Sequence, residues 1–153
     1  MFRIVKKEPL NPSVTRMSID APLVAKKVQP GQFIILRVEE NGERIPLTVA
    51  GYDREAGTVD IIFQIVGATT EKLNHKQQGE TIPDFVGPLG KPTETEGLKR
   101  VAVIGGGVGC AIAFKYVSDR VNEKNLTRDS SCTDVCKCSY YTVCRIVSRA
   151  VFE

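Results

Sequence analysis

The chain has 153 residues, 42% of them hydrophobic and 25% charged, and carries a formal net charge of +3. That is enough to bury a sizeable core in one globular domain or one and a half. Lys and Arg are scattered among acids rather than clustered with aromatics, which argues against a nucleic-acid footprint, and no run approaches the ~18 apolar residues of a membrane span.

Met1-Phe2-Arg3-Ile4-Val5-Lys6-Lys7 alternates apolar and polar residues as a strand does and lacks the apolar stretch of a secretion signal, so the expected compartment is the cytoplasm. Asn11-Pro12 marks a turn, after which Met17, Ile19 and Ala21 alternate with Ser18 and Asp20. Pro30-Gly31 is a second turn. The apolar run Phe33-Ile34-Ile35-Leu36 behind it predicts a strand buried on both sides. Asn41-Gly42, between Val38 and Ile45, predicts a hairpin, and Glu55-Ala56-Gly57 another turn. Val59, Ile61, Phe63 and Ile65 alternate with Asp60 and Gln64, and one short helix is expected near Thr69 to His75. Strands at this spacing predict a small antiparallel barrel or sandwich up to about Gly97.

After the loop Gly87-Pro88-Leu89-Gly90-Lys91-Pro92 the pattern changes. Arg100 to Ile104 reads as an apolar strand running into Gly105, and Phe114, Val117 and Val121 recur at helical spacing, the opening of an α/β nucleotide-binding domain. A boundary near Glu96 to Lys99 gives domains 1–97 and 98–153. No second apolar strand follows, and about 50 residues after the glycines is short for a nucleotide domain, which usually needs roughly twice that. The second domain is therefore expected to be partial, the chain truncated or altered after the glycine turn. Tyr140, Val143, Val147 and Val151 are spaced like one face of a helix.

Five motifs stand in order: Pro30-Gly31-Gln32-Phe33, Arg44-Ile45-Pro46-Leu47-Thr48, Val66-Gly67-Ala68-Thr69-Thr70, Gly87-Pro88-Leu89-Gly90 and Gly105-Gly106-Gly107-Val108-Gly109. Through them residues 1 to about 112 resemble the ferredoxin reductase superfamily, specifically the FAD-binding electron-transfer subunits related to dihydroorotate dehydrogenase, sulfide dehydrogenase and the smaller subunit of NADH-dependent ferredoxin:NADP oxidoreductase. The resemblance implies an all-β antiparallel Greek-key barrel that binds FAD, followed by a partial α/β NAD(P)-binding domain. It implies electron transfer from NAD(P)H through flavin to a large catalytic oxidoreductase subunit or to ferredoxin, with a [2Fe-2S] cluster in full-length relatives.

The resemblance places the Thr48 hydroxyl at the reactive edge of the flavin near N5, with Pro46 and Leu47 along the ring. The alternative is an ordinary strand threonine. In the broader superfamily the phosphate-binding arginine stands three residues before this hydroxyl; here that slot is Ile45, and Arg44 stands four before. One step along a strand reverses side-chain direction, so Arg44 either reaches the FAD diphosphate or is solvated. Gly67, Thr69 and Thr70 open the short helix, where backbone donors and the dipole suit a diphosphate; read locally, the threonines only cap the helix. Ile62, Phe63 and Gln64 map onto positions that touch the ribityl and adenine region, though their alternation is equally that of a core strand.

Gly105, Gly106, Gly107 and Gly109 would let a nicotinamide nucleotide approach the backbone, yet Cys110 or Ile112 breaks the G-x-G-x-x-G pattern, depending on where the count begins. Asp129, about 20 residues beyond, has no strand before it to make it a ribose ligand. The tail cysteines Cys132, Cys136, Cys138 and Cys144 match neither the relatives' cluster spacing nor a paired zinc site, so no metal ligand is assigned. Cys110 reads as a packing residue and His75 as solvated. The competing functional readings are a catalytically silent flavin-binding module and an unrelated small β-barrel.

Overall fold

The computed structural model describes residues 1–94 together with Val108 and Gly109. The chain divides into two compact units, Met1–Pro92 and Thr93–Glu153, and the description that follows is of the first. The expected boundary at Glu96 to Lys99, the strand from Arg100, glycines 105 to 107, the helical spacings at Phe114 to Val121 and Tyr140 to Val151, Asp129 and all five cysteines lie outside the described residues.

Seven strands, β1 (Phe2–Asn11), β2 (Val14–Asp20), β3 (Phe33–Arg37), β4 (Arg44–Asp53), β5 (Thr58–Gln64), β6 (Thr81–Ile82) and β7 (Asp84–Leu89), form one antiparallel sheet in the order β6-β1-β2-β5-β4-β3-β7. Only Pro83 separates β6 from β7, the two ends of that order, so the sheet curls into a nearly closed barrel; the Phe2 and Phe85 rings meet across the corner at 5.6 Å between centroids. The hairpins β3-β4-β5 return beside β2, a Greek-key connection whose long crossover contains α1 (Pro22–Lys27). A second helix, α2 (Ala68–His75), follows β5.

Turn chemistry sets the hairpins. Asn11 Oδ1 accepts hydrogen bonds from the Ser13 N–H at 2.9 Å and hydroxyl at 3.1 Å, closing a turn in which Asn11 pairs with Val14. Asp53 Oδ1 accepts the N–H groups of Glu55 and Ala56, and Gly57 at φ +70° completes the β4–β5 turn. The hairpin expected at Asn41-Gly42 is present as β3 and β4, with Arg37 paired to Arg44 across the connection.

The alternating residues fill the barrel: Met17, Ile19, Ile34, Leu36, Val59, Ile61 and Phe63 are buried with Ile4, Leu73 and Ile82. Helix α2 is tied to this core by Leu73 and by Asn74, whose Oδ1 accepts from the buried Thr15 hydroxyl at 2.7 Å and whose carbonyl accepts from Lys7 Nζ at 2.5 Å.

Three sequence expectations need correction. Strand β3 is not buried on both sides: Ile34 and Leu36 are fully enclosed, whereas Phe33 and Ile35 are half-buried on an outer face. A continuous apolar run cannot tell two buried faces from one buried face and one apolar surface. Helix α1 was not anticipated; Ala21, Val24, Ala25 and Val28, spaced as one helical face, turn it into the core behind a Pro at its first position. The stretch read as a loop from Gly87 is the end of β7. Pro88 is tolerated there because β7 lies at the end of the strand order, and a Cβ on Gly87 would lie 2.6 Å from Ile34 Cγ2, so only glycine lets β7 seat against β3.

Candidate functional site

Strand alternation sorts the Arg44–Thr48 segment into two faces. Ile45 pairs with Leu36 and Leu47 with Ile34, and both pack against the core. Arg44, Pro46 and Thr48 therefore emerge together on the outer face, opposite Arg37, Ile35 and Phe33 respectively. Strand β7 extends this face: Leu89 pairs with Phe33, Val86 with Ile35 and Asp84 with Arg37. The result is an apolar floor of Phe33, Ile35, Pro46 and Val86, the last 54% exposed, bounded at one end by the Thr48 hydroxyl and at the other by a charged row.

That row is Arg44-Arg37-Asp84. Asp84 Oδ2 lies 2.8 Å from Arg37 Nε and 3.1 Å from Arg44 Nη2, while Arg37 Nη1 also donates to the Glu40 carbonyl. Burial pushes the Asp84 carboxyl up, but hydrogen bonds and charge from Arg44 and Arg37 outweigh it and hold it below the ordinary carboxylate range. The Arg44 side chain is 63% exposed and spends one nitrogen on Asp84.

On the other side of Thr48 lies β5. Val49 pairs with Ile61 in the core, so the adjacent Thr48 and Ile62 both point outward, and Gln64 follows on the same face. Phe63, between them, is a core residue and cannot offer its ring to a ligand. Ala50 is the extra residue of a bulge between Val49 and Gly51, which bends β4 just beyond Thr48.

Strand β5 leads through Val66 to the start of α2, with Gly67 as its N-cap. The Thr70 hydroxyl accepts from the N–H groups of Val66 and Gly67, both at 3.1 Å, and donates to the Gly67 carbonyl at 2.9 Å, so it closes the turn. The first helical bond runs from Glu71 N–H to Gly67, leaving the N–H groups of Ala68, Thr69 and Thr70 without acceptors inside the helix. Gly67 has the extended conformation open to any residue, φ −163°, and a Cβ there would meet nothing within 4 Å. Neither its backbone nor its neighbours account for a glycine.

Helix and strand are joined directly. Thr69 Oγ1 donates to Glu43 Oε2 at 3.1 Å, one residue before Arg44, and Lys72 Nζ pairs with Glu39 Oε2 at 2.8 Å. Glu39 and Glu43 of the β3–β4 connection thus hold the first turns of α2.

Of the residues singled out from the sequence, the structure sets Arg44, Pro46, Thr48, Ile62 and Gln64 on the outer face of the strands and Gly67, Thr69 and Thr70 at the start of α2, while Ile45, Leu47 and Phe63 turn inward. Gly109 is described, but nothing places it in this site. Sequence reasoning missed Phe33, Ile35, Val86 and Asp84, whose signal lies in the pairing of β3 with β7. His75 is exposed, as expected. Among the described residues no group of His, Cys, Asp and Glu could hold a metal ion, and no helix is long and apolar enough to cross a membrane.

No protein-family model matches the chain. An uncharacterised protein from the adh 3′ region of Clostridium beijerinckii is 48% identical over 124 residues, 76% of this chain and 42% of that protein. A dihydroorotate dehydrogenase B (NAD(+)) electron transfer subunit homologue of Thermotoga maritima is 46% identical over 111 residues, 72% of this chain and 39% of its own length. Among solved structures, the NADH-dependent reduced ferredoxin-NADP oxidoreductase studied for flavin-based electron bifurcation superposes with a TM-score of 0.75 at 42% identity, covering 80% of this chain and 44% of that one. The chain spans less than half the length of these relatives.

Proposed function

We propose that the chain, homologous to electron-transfer subunits of dihydroorotate dehydrogenase B and built on a ferredoxin reductase-like barrel, is the FAD-binding part of an electron-transfer subunit. The observation that carries this reading is the continuity of the outer face. A hydroxyl, an apolar floor and a guanidinium follow one another along it, and the helix N-terminus tied to Glu43 beside Arg44 would complete the order of a flavin's reactive edge, ring and diphosphate.

The donor set fits the group. Thr48, fixed by its pairing with Phe33, would hold a hydrogen bond at the ring edge near N5, and Pro46, Ile35 and Val86 would cover one ring face and keep water from it. Arg44 and the free N–H groups of Ala68, Thr69 and Thr70 would take the diphosphate, with the Gly67 opening admitting it. Ile62 and Gln64 would flank the ribityl chain. Ile45, Leu47 and Phe63 would support the surface from inside. FAD, when bound, supplies two-electron exchange with a nicotinamide and one-electron exchange with an acceptor.

In the same reading NAD(P)H is the donor, and Gly105, Gly106, Gly107 and Gly109 would be its binding residues. A large catalytic subunit or an iron-sulfur carrier takes the electrons in the cytoplasm, and the domains run 1–97 and 98–153. The test is purification of the full chain. Flavin bound near one per chain, yellow and released as FAD on denaturation, is the expected result, and bleaching by NADH or NADPH would extend the reading to nicotinamide-driven transfer. A chain that binds no flavin even after reconstitution with FAD refutes it.

A further inference from the structure

We infer that Asp84 is the positioning residue for the diphosphate-binding cation, an inference that rests on the flavin reading. Arg37 and Arg44 stand directly opposite one another on neighbouring strands, an arrangement of like charges that by itself drives the two guanidiniums apart. Asp84, the partner of Arg37 on its other side, bridges them through a single oxygen, 2.8 Å from one and 3.1 Å from the other. Arg37 is held by its Nη1 hydrogen bond to the Glu40 carbonyl and pairs with Asp84 by charge, its buried Nε lying beside the carboxylate without a hydrogen bond to it.

Arg44, the most exposed of the three, is drawn back across β3 by a fixed acceptor. It spends one nitrogen on Asp84 and, at 63% exposure, keeps its other donors for a ligand, one residue from the Glu43–Thr69 contact at the start of α2. Without Asp84, Arg44 is repelled by Arg37 and loses that orientation; the row also gains a second net positive charge. Orientation and charge thus pull in opposite directions on diphosphate affinity. The short bridge favours orientation, because a guanidinium binds a phosphate well only in a defined planar approach.

The experiment compares FAD with riboflavin, which has the same ring and no phosphate, by fluorescence quenching on the full chain. Asp84→Asn is expected to weaken FAD about tenfold while riboflavin changes less than about twofold. Arg44→Ala is expected to do the same, and adding Asp84→Asn to Arg44→Ala to cost nothing more, since the first acts through the second. Asp84→Glu, which keeps the charge and displaces it by one methylene, preserves the fold if the amide variant does not and should lose about threefold in FAD affinity alone. An FAD-to-riboflavin ratio unchanged or raised in the Asp84 variants, or equal losses for both flavins, overturns the positioning role. Failure of the parent chain to bind either flavin refutes the functional reading, and this inference with it.

Discussion

Replacing Gly67 by Asp sets the fold and the proposed ligand against each other. Its φ of −163° suits any residue and the space where a Cβ would project is empty, so the substitution meets no steric obstacle. At an N-cap, Asp and Gly differ by only a few tenths of a kcal/mol, and a negative charge beside the helix N-terminus adds about 0.3–1 kcal/mol. The melting midpoint of the flavin-free chain should therefore stay level or rise by up to about 8 °C. A bound diphosphate reverses the sign. At ~6 Å and an effective dielectric near 20, one like-charge pair costs about 3 kcal/mol, roughly a hundredfold in affinity, and salt screening lowers that toward tenfold. Circular dichroism melts and FAD titrations read the two effects separately, with riboflavin as the phosphate-free control. FAD binding as tight as that of the parent chain would show that no diphosphate approaches α2. A midpoint lowered by more than about 5 °C would show that the opening at Gly67 is needed by the fold instead.

Thr48→Val removes the hydroxyl without changing the strand; FAD and riboflavin should both weaken by up to about tenfold, as one hydrogen bond is worth about 0.5–1.5 kcal/mol, and a loss confined to FAD would place Thr48 away from the ring. Gly87→Ala drives a Cβ into Ile34 Cγ2, now 2.6 Å from that position. Overpacking of about 1–3 kcal/mol should lower the melting midpoint by roughly 4 °C or more, and an unchanged midpoint would mean β7 does not seat tightly on β3. Acid should weaken the fold through Glu39 and Asp84. The Lys72 hydrogen bond and charge hold Glu39 below its ordinary value of 4.5, and Arg44 and Arg37 hold Asp84 below 3.8 despite the opposing effect of burial. For carboxyls lowered in the folded state, the stabilisation is complete above those ordinary values and is lost as pH falls through the folded ones. Urea midpoints should therefore drop between about pH 5 and 3, less steeply in Glu39→Gln; equal slopes would remove Glu39 from the acid response.

What the sequence disclosed, it disclosed through local periodicity and turn chemistry. Val59 to Phe63 shows its buried face by alternation alone, and Asn11, Asp53 and Gly57 mark turns by chemistry that acts within four residues. Asp84 could not be read in this way, because its partners Arg37 and Arg44 lie on strands that reach it only through the register of β3 with β7 and β4. The same holds for Val86 and Ile35, whose significance is that they share a face. Helix α1 was legible in principle from Ala21, Val24, Ala25 and Val28, yet six residues give a weak period against a run of strands.

The displaced arginine shows how register converts a sequence irregularity into a geometric argument. A cation three residues before the hydroxyl would, in a flat strand, point to the opposite face; four residues is an even number and keeps both on one face. Here the three-residue position is Ile45, which packs on the core beside Leu36, so a charge there would be buried without a partner. Arg44 is the position from which a guanidinium can stand on the same surface as Thr48 and Pro46, about 13 Å along the strand from the hydroxyl. In the flavin reading that separation would run from the ring edge to the diphosphate, with no direct contact between the two groups. The same reading would need the helix start near Arg44 rather than Thr48, and the Glu43–Thr69 hydrogen bond at 3.1 Å ties it to the residue before Arg44.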